Sequence, residues 1–322
     1  MRGMTQELEL ATPENFDEEG YLLANPDVAR HVANGGSAIA HLERHGLREG
    51  RKQVVTNPAL RTQRKRARYD RFARLLDAAR GAGGGFTFIG ETATFPVRYG
   101  QAPLGLESYE SESANAGFGP FIEEIRANPD NLYLDVGCGR RTRVEPNCLY
   151  LEVYPSVSAD IVMEPACRYP IASESLDGIG CFAVLEHVER PWEAAAEFRR
   201  MLKPGGKIFI DWPFLQPVHG YPSHYYNATR EGLRRMFEDG FEIETVDTFA
   251  NQTPDHAFHW MLGELTREME PAARERLLAM NVGDLMRETP GGELWQSLLA
   301  AVPAKTIETL ACGNSLIAKR QA

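Results

Sequence analysis

Between Leu132 and Trp212, short apolar runs alternate with helix patterns and turns, and this alternation constrains the fold more than any other feature. Such an order is that of a parallel sheet carrying helices on its faces. The runs expected as strands are Leu132 to Val136, Leu149 to Val153, Ile161 to Met163, Asp177 to Phe182 and Lys207 to Trp212. Between the last two, Pro191 suits the first position of a helix whose Ala195, Phe198 and Met201 would face the sheet, and Lys203-Pro204-Gly205-Gly206 would close it. Phe118, Phe121, Ile122 and Ile125 mark a further helix beside the first strand. Phe241 to Phe249 is expected as a sixth strand and Asn314 to Arg320 as a seventh, which makes an α/β fold with a seven-stranded, mostly parallel sheet.

At 322 residues the chain exceeds one typical domain. The expected organisation is a small helical module over 1–56, a basic helix and Gly-rich linker over 57–85, and the α/β domain over 86–322. A helical insertion at about 251–309 precedes the last strand, because that stretch is too long for a simple connection. In the module, Asn25 suits an N-cap, Pro26 the first helical position, and Gly35-Gly36 the end of that helix. A second short helix would run through Ile39, Leu42 and His45 to Gly46, with Glu49-Gly50-Arg51 as its exit turn. His41 and His45 stand at i, i+4, a spacing open to metal ligands, but no third ligand stands nearby and packing or turn contacts are the expected use. The basic residues Arg61, Arg64, Lys65, Arg66, Arg68, Arg71 and Arg74 are expected on a solvated helix face from about Arg61 to Ala79. Gly81 to Gly85 reads as a break, and Phe86 to Pro120 lacks clear periodicity.

A formal net charge of −10, with a pI near 5.4, argues against nucleic acid as a partner, since phosphate neutralisation needs clustered Lys and Arg. Five cysteines form no C-x-x-C pair, and their odd number suits reduced thiols. The N-terminus has no apolar signal core, and no stretch has the length of a membrane span. The expectation is a cytoplasmic enzyme without a membrane span.

Leu134-Asp135-Val136-Gly137-Cys138-Gly139 is an apolar strand running into a Gly-x-Gly turn, which lets backbone approach a ligand at the carboxyl end of a strand. A dinucleotide fingerprint would need the longer G-x-G-x-x-G, whereas Arg140 and Arg141 follow here. Specificity comes from the ordered set downstream: Glu152 ending strand two, Glu164 after strand three, Leu185-Glu186-His187-Val188 after strand four, and Leu202-Lys203-Pro204-Gly205-Gly206 before strand five. Together these resemble the large bacterial family of class I S-adenosylmethionine-dependent methyltransferases, over about Leu132 to Val246. The resemblance implies a Rossmann-like methyltransferase sheet and S-adenosyl-L-methionine as cofactor. It places Asp135, Gly137, Cys138 and Gly139 beneath the methionine portion, Glu152 on the ribose hydroxyls, Glu164 at the adenine edge and Glu186 beside the cofactor. The chain departs from the usual pattern where an arginine replaces the third Gly and where the connection to strand two is short, so the first helix is expected to be truncated.

Methyl transfer is an in-line displacement in which alignment dominates, so a general base is the least readable element. His187 is the leading candidate, and Asp211, His219 and His224 are the alternatives. Residues 213–226 are dense in His, Tyr and Pro and are expected to border the acceptor pocket; no metal-ligand spacing emerges there, because the two His stand five apart on a Pro-containing segment. The N-terminal pattern Tyr21-Leu22, Asn25-Pro26-Asp27-Val28, His41, His45-Gly46 and Glu49-Gly50-Arg51 resembles a bacterial module found beside glycosyltransferases of surface polysaccharides. That company points to a small-molecule or glycan-linked acceptor, with a sugar hydroxyl preferred, and to partner binding as one use of the module. Three rivals stand beside this reading: a nicotinamide dehydrogenase, a non-catalytic cofactor-binding or scaffold protein in a glycan-assembly complex, and a natural-product or lipid methyltransferase.

Overall fold

Four of the apolar runs, Tyr133–Val136, Cys148–Glu152, Ile161–Met163 and Leu176–Phe182, pair as the alternation requires and are largely buried, as befits parallel strands covered by helices. The computed structural model describes residues 8–76, 85–90, 92–100, 114–115, 117–141, 144–156, 158–166, 168–220 and 223–311. In chain order the strands are β1 (Leu8–Leu10), β2 (Lys52–Val54), β3 (Phe86–Phe88), β4 (Val97–Tyr99), β5 (Ala114–Asn115), β6 (Tyr133–Val136), β7 (Arg140–Arg141), β8 (Cys148–Glu152), β9 (Ile161–Met163), β10 (Leu176–Phe182) and β11 (Leu202–Asp211). The chain forms two compact units, one of residues 1–182 with 196–210 and the other of residues 183–195 with 211–322.

The first unit contains the sheet, in the order β11-β10-β6-β8-β9-β4-β3. β10, β6, β8, β9 and β4 run parallel to one another in that order, and β3 turns back antiparallel on β4. The sheet is thus seven-stranded and mostly parallel, as expected, but two of its strands come from elsewhere. Residues 241–249 form no strand, with Phe249 exposed, and the expected strand at Asn314 to Arg320 lies outside the described residues. β3 and β4 occupy the opposite edge, drawn from the stretch that lacked periodicity. With three residues each, they are too short to show alternation, although buried Val97 and Tyr99 flank half-buried Arg98.

One face of the sheet is covered by the expected helix, Gly119–Ala127, whose Phe121, Ile122 and Ile125 pack with Tyr133, Tyr150 and Val162. The helix Pro191–Met201 buries Ala194, Ala195, Phe198 and Met201, as its spacing predicts. Between β6 and β8 the described residues carry no helix: β7 occupies that place and pairs in parallel with β5.

The N-terminal module has its own small core of Ala11, Tyr21, Val28, Ala38 and Leu42, beside the antiparallel pair β1 and β2. Its helices are Glu18–Ala24, Pro26–Ala33, Ala38–His41 and Leu47–Glu49, with Gly50 at φ 61 ending the last in the left-handed region. His41 Nδ1 is paired with the Tyr21 hydroxyl at 3.1 Å, a packing contact as expected.

The basic helix spans Pro58–Phe72, shorter than expected, and Asn57 caps it by accepting from the Ala59 and Leu60 N–H groups. Its solvated face includes Arg66, paired with Asp70. Arg68 is different, and the reading of a uniformly solvated run is corrected there. Its guanidinium grips Asp160 with two bonds of 2.7 and 2.6 Å, donates to the Glu145 carbonyl at 3.0 Å and also bonds the Cys148 carbonyl. The Asp160 carboxylate in turn accepts from the Tyr150 N–H, so one arginine pins this helix to β8 and the turn before β9. Burial works against the charge of Arg68, and Asp160 outweighs it, holding the guanidinium protonated.

The second unit is largely helical, with helices Arg230–Phe237, Pro254–Arg267, Pro271–Leu278, Val282–Arg287, Glu293–Leu299 and Ala304–Thr309. Met269, Leu277, Leu294 and Leu298 form its core. Among the described residues no helix is long and apolar enough to cross a membrane. Replacing Arg68 by Met leaves Asp160 buried without its counter-ion, a loss expected to cost about 3–5 kcal/mol. Urea unfolding checks this: a midpoint shift worth less than 1 kcal/mol would show that the helix is not pinned by this pair.

Candidate functional site

In the first unit, the chain leaves β6 through a turn that glycine makes possible: Gly137 and Gly139 sit at φ 65 and 53. The turn is closed from β8, whose parallel register sets Val136 beside Leu151. Glu152 follows, and its carboxylate accepts from the Gly139 N–H at 2.8 Å and from the Val153 N–H at 2.7 Å. The Gly139 carbonyl accepts from the Ser156 hydroxyl at 2.6 Å. Asp135 is fully enclosed and bound by Arg141 through two bonds of 2.7 and 2.9 Å. Burial pushes the Asp135 carboxyl up, and the guanidinium pulls it back. Cys138 is buried and burial raises its thiol, so it lines the turn as an apolar group. The Glu164 carboxylate lies against the backbone of Gly100, which at φ 77 leaves it room beside β4.

These groups fit the cofactor that the motif implies. A carboxylate accepts about four hydrogen bonds, so Glu152 can hold the Gly-x-Gly turn and still receive ribose hydroxyls. The positive-φ glycines expose backbone at the strand end, where a methionine chain would pass.

In the second unit, Leu185–His187 forms a single 3₁₀ turn. Glu186 is held through its backbone, its carbonyl accepting from the Tyr225 N–H at 2.6 Å. Residues 213–220 and 223–228 are joined at their ends, the Ala228 N–H bonding the Pro213 carbonyl at 2.9 Å and the Trp212 indole donating to the Tyr226 carbonyl at 3.2 Å. This loop brings His219 and His224 to His187, with ring centroids 5.2 and 5.5 Å away and the rings nearly perpendicular. The Glu186 carboxylate lies among them: Oε1 is 3.8 Å from His187 Nε2 and 4.0 Å from His219 Nε2. Gly220 completes the fit, since at φ 77 a Cβ there would lie 2.3 Å from the His187 ring.

The hydrogen bonds assign the tautomers, because a carbonyl only accepts. His187 Nδ1 meets the Ser223 carbonyl at 2.9 Å and His219 Nδ1 meets the Pro217 carbonyl at 2.8 Å, so both Nδ1 atoms carry the proton. Burial lowers the pKa of both rings, and each therefore presents an unprotonated Nε2. His224 is turned the other way: its Nδ1 accepts from the His219 N–H and its Nε2 donates to Asn227. Neither oxygen of Glu186 has a hydrogen-bond partner, and the side chain is wholly enclosed. Burial, with Asp211 adding repulsion, pushes its pKa up to about 8. Asp211 itself accepts from Gln252 at 2.7 Å and Asn251 at 3.3 Å.

The structure therefore brings His187, His219 and Glu186 together, with Asp211 bonded to the residues that open the helical region. Asp135, Gly137, Cys138, Gly139 and Glu152 gather around one turn. The sequence reading placed no metal ligands, but Glu186, His187 and His219 offer ligand atoms all within 4.8 Å of one another. Their convergence was not legible because the third member arrives by loop folding rather than by spacing. Arg141 was equally missed as the partner of Asp135; the arginine pair read only as a departure from a glycine.

Residues 134–210 match the family model described as a methyltransferase domain. That segment is thus similar to methyltransferase domains. An uncharacterized methyltransferase of Mycobacterium bovis (strain BCG / Pasteur 1173P2) is 35% identical over 75 residues, covering 22% of this chain and 30% of that protein. An uncharacterized 37.1 kDa protein in transposon TN4556 of Streptomyces fradiae is 28% identical over 165 residues, covering 39% of this chain and 47% of the other. The chain thus spans less than half the length of these relatives. Among solved structures, the phosphoethanolamine N-methyltransferase 2 of Haemonchus contortus, in complex with S-adenosyl-L-methionine, aligns at 16% identity with a TM-score of 0.30, covering 56% of this chain and 46% of that one.

A carboxyl whose pKa is raised on folding favours the folded state while both states are protonated, and that advantage is lost as pH rises toward the folded value. With chelator present, stability is expected to fall between about pH 4.5 and 8 through Glu186, and Glu186→Gln should flatten that slope by a few kcal/mol. Parallel urea titrations across this range check it, and equal slopes would show that the carboxyl is not protonated. Gly220→Ala should displace the His187 ring, read as a shift of its imidazole resonances by NMR without loss of the fold.

Proposed function

We propose that this protein transfers the methyl group of S-adenosylmethionine to a hydroxyl oxygen of a small-molecule or glycan-linked acceptor. The observation that carries the reading is the Gly139–Glu152 closure at the ends of β6 and β8, inside the segment that matches the methyltransferase domain. Asp135, Gly137, Cys138, Gly139 and Glu152 would hold the cofactor, Glu152 through the ribose and the glycine turn through backbone alongside the methionine chain. Glu164 would lie toward the adenine.

In the reaction the methyl carbon leaves the sulfonium and bonds the acceptor oxygen, S-adenosylhomocysteine departs as a neutral thioether, and the hydroxyl proton must go to a base. Alignment supplies most of the acceleration, up to ~7–11 kcal/mol. The proton would be handled at the Glu186, His187 and His219 cluster, whose two imidazoles carry unprotonated Nε2 atoms; Asp211 would orient this region through Asn251 and Gln252. A sugar hydroxyl is the preferred acceptor. The support is the resemblance of the N-terminal module, which also has a depression of about 660 Å³ lined by Asp27, His31, His41, Arg44 and His45, groups suited to hydroxyl-rich ligands. A non-catalytic, cofactor-binding reading draws on one observation: the Asp135 carboxylate is committed to Arg141.

Calorimetric titration with S-adenosylmethionine, S-adenosylhomocysteine and NADH separates these readings from a dehydrogenase, with binding of the two sulfur nucleotides alone expected. Glu152→Ala should weaken S-adenosylmethionine about 10- to 100-fold, the worth of one hydrogen bond to a charged group, with the circular dichroism spectrum unchanged. His187→Ala should slow turnover about 10²-fold at unaltered cofactor affinity, and full activity would remove the cluster from the reaction. Tight cofactor binding without turnover on any sugar, lipid or small-molecule acceptor would favour the non-catalytic reading.

A further inference from the structure

We infer that Glu186, His187 and His219 form a binding site for one divalent transition-metal ion. The donor set is two imidazole nitrogens and one carboxylate, a combination that zinc and other first-row ions share and that leaves coordination positions open for an outside ligand. Three independent features of the second unit point to it.

The first is the state of the carboxylate. Glu186 is wholly enclosed, yet neither oxygen has a hydrogen-bond donor. Buried polar groups are almost always partnered, and one left without a donor marks the place of a missing group. A cation bonded to Oε1 is a partner that the surrounding imidazoles allow, since neither presents an N–H to it.

The second is the outer hydrogen bonding. Metal-bound histidines typically donate their other ring N–H to a carbonyl or carboxylate, which fixes the tautomer and the ring. Both histidines do this, His187 to the Ser223 carbonyl at 2.9 Å and His219 to the Pro217 carbonyl at 2.8 Å. The nitrogens left unprotonated are the two that face Glu186, at 3.8 and 4.0 Å from Oε1. A nearby counter-example is His224, whose Nε2 is spent on Asn227 and whose Nδ1 receives the His219 N–H.

The third is access. His187 and His219 keep 18% and 23% of their side-chain surface exposed while Glu186 keeps none, so the cluster has a closed floor and an open side. Trp260 packs on the His219 ring at 4.8 Å, and Gly220 leaves space against His187. Bonds of about 2.0–2.2 Å would draw the three ligands closer than they stand now, a movement within reach of a loop and a single turn. Two imidazoles favour zinc, iron, cobalt or nickel over magnesium or calcium.

Its use in catalysis rests on the proposed methyl transfer: a hydroxyl oxygen bound to such an ion would lose its proton more readily at neutral pH, with solvent taking the proton in place of the two Nε2 atoms that the ion then occupies. Binding itself does not rest on that reading, and the experiment separates the two. Full-length protein is stripped with chelator, dialysed, and titrated with zinc chloride by calorimetry, with stoichiometry taken by elemental mass spectrometry and the cobalt(II) form examined by visible absorption. One zinc per chain is expected, with magnesium and calcium at least 10²-fold weaker. Glu186→Gln, His187→Ala and His219→Ala should each weaken zinc 10²-fold or more, while His41→Ala, in the N-terminal module, binds as the parent does. Circular dichroism checks each variant, so that loss of binding in at least one folded ligand variant is required. Absence of zinc in the parent, unchanged affinity in the folded ligand variants, or loss of the ion with His41→Ala overturns the site. S-adenosylmethionine affinity is measured on the same samples: zinc binding without cofactor binding would leave the metal site standing and remove the methyl-transfer reading, and the reverse result would do the opposite.

Discussion

Two buried polar closures hold the end of β6, and the cofactor reading depends on them. Glu152 ties the Gly139 amide to the end of β8, and Arg141 neutralises Asp135 below it. A carboxylate enclosed to this degree cannot remain charged without a partner. Arg141 supplies one from β7, in the connection between β6 and β8. Glu152 closes the turn by accepting from two backbone amides, those of Gly139 and Val153.

Arg68 solves the same problem on the other side of β8. Asp160 and the carbonyls of Glu145 and Cys148 converge on a single guanidinium, whose planar fork matches several acceptors. The N-terminal segment is thereby fastened to the sheet by electrostatics and hydrogen bonds rather than by apolar contact alone. The Glu186 cluster contrasts with both: it encloses a carboxylate without any cation or donor, against histidines held neutral. Structures rarely keep such an arrangement without a use for it, which is why the proposed metal site rests on the cluster rather than on any single histidine.

Strands β6, β8, β9 and β10 were legible because a strand buried on both faces must be apolar along its length, and that signal survives in any context. The helix Pro191–Met201 was legible from its apolar spacing and its starting proline. β3 and β4 were not, because strands of three residues carry too little pattern and gain their identity from the edge they meet. Residues 241–249 misled for the converse reason: Phe241, Ile243 and Val246 have strand-like chemistry, but among the described residues no strand pairs with them. Arg68 looked like its neighbours in a basic run, and only Asp160, far away in sequence, distinguishes it.

By itself the sequence determined the parallel core, the Gly-x-Gly turn, the acid at the end of β8 and the motif series of a methyltransferase domain, since each depends on local composition and order. Tertiary structure decided which charged groups meet. The Asp135–Arg141 pair, the Arg68–Asp160 pair and the convergence of Glu186 with His187 and His219 are all set by backbone paths that bring side chains together in space, and charge interactions follow that distance rather than position along the chain.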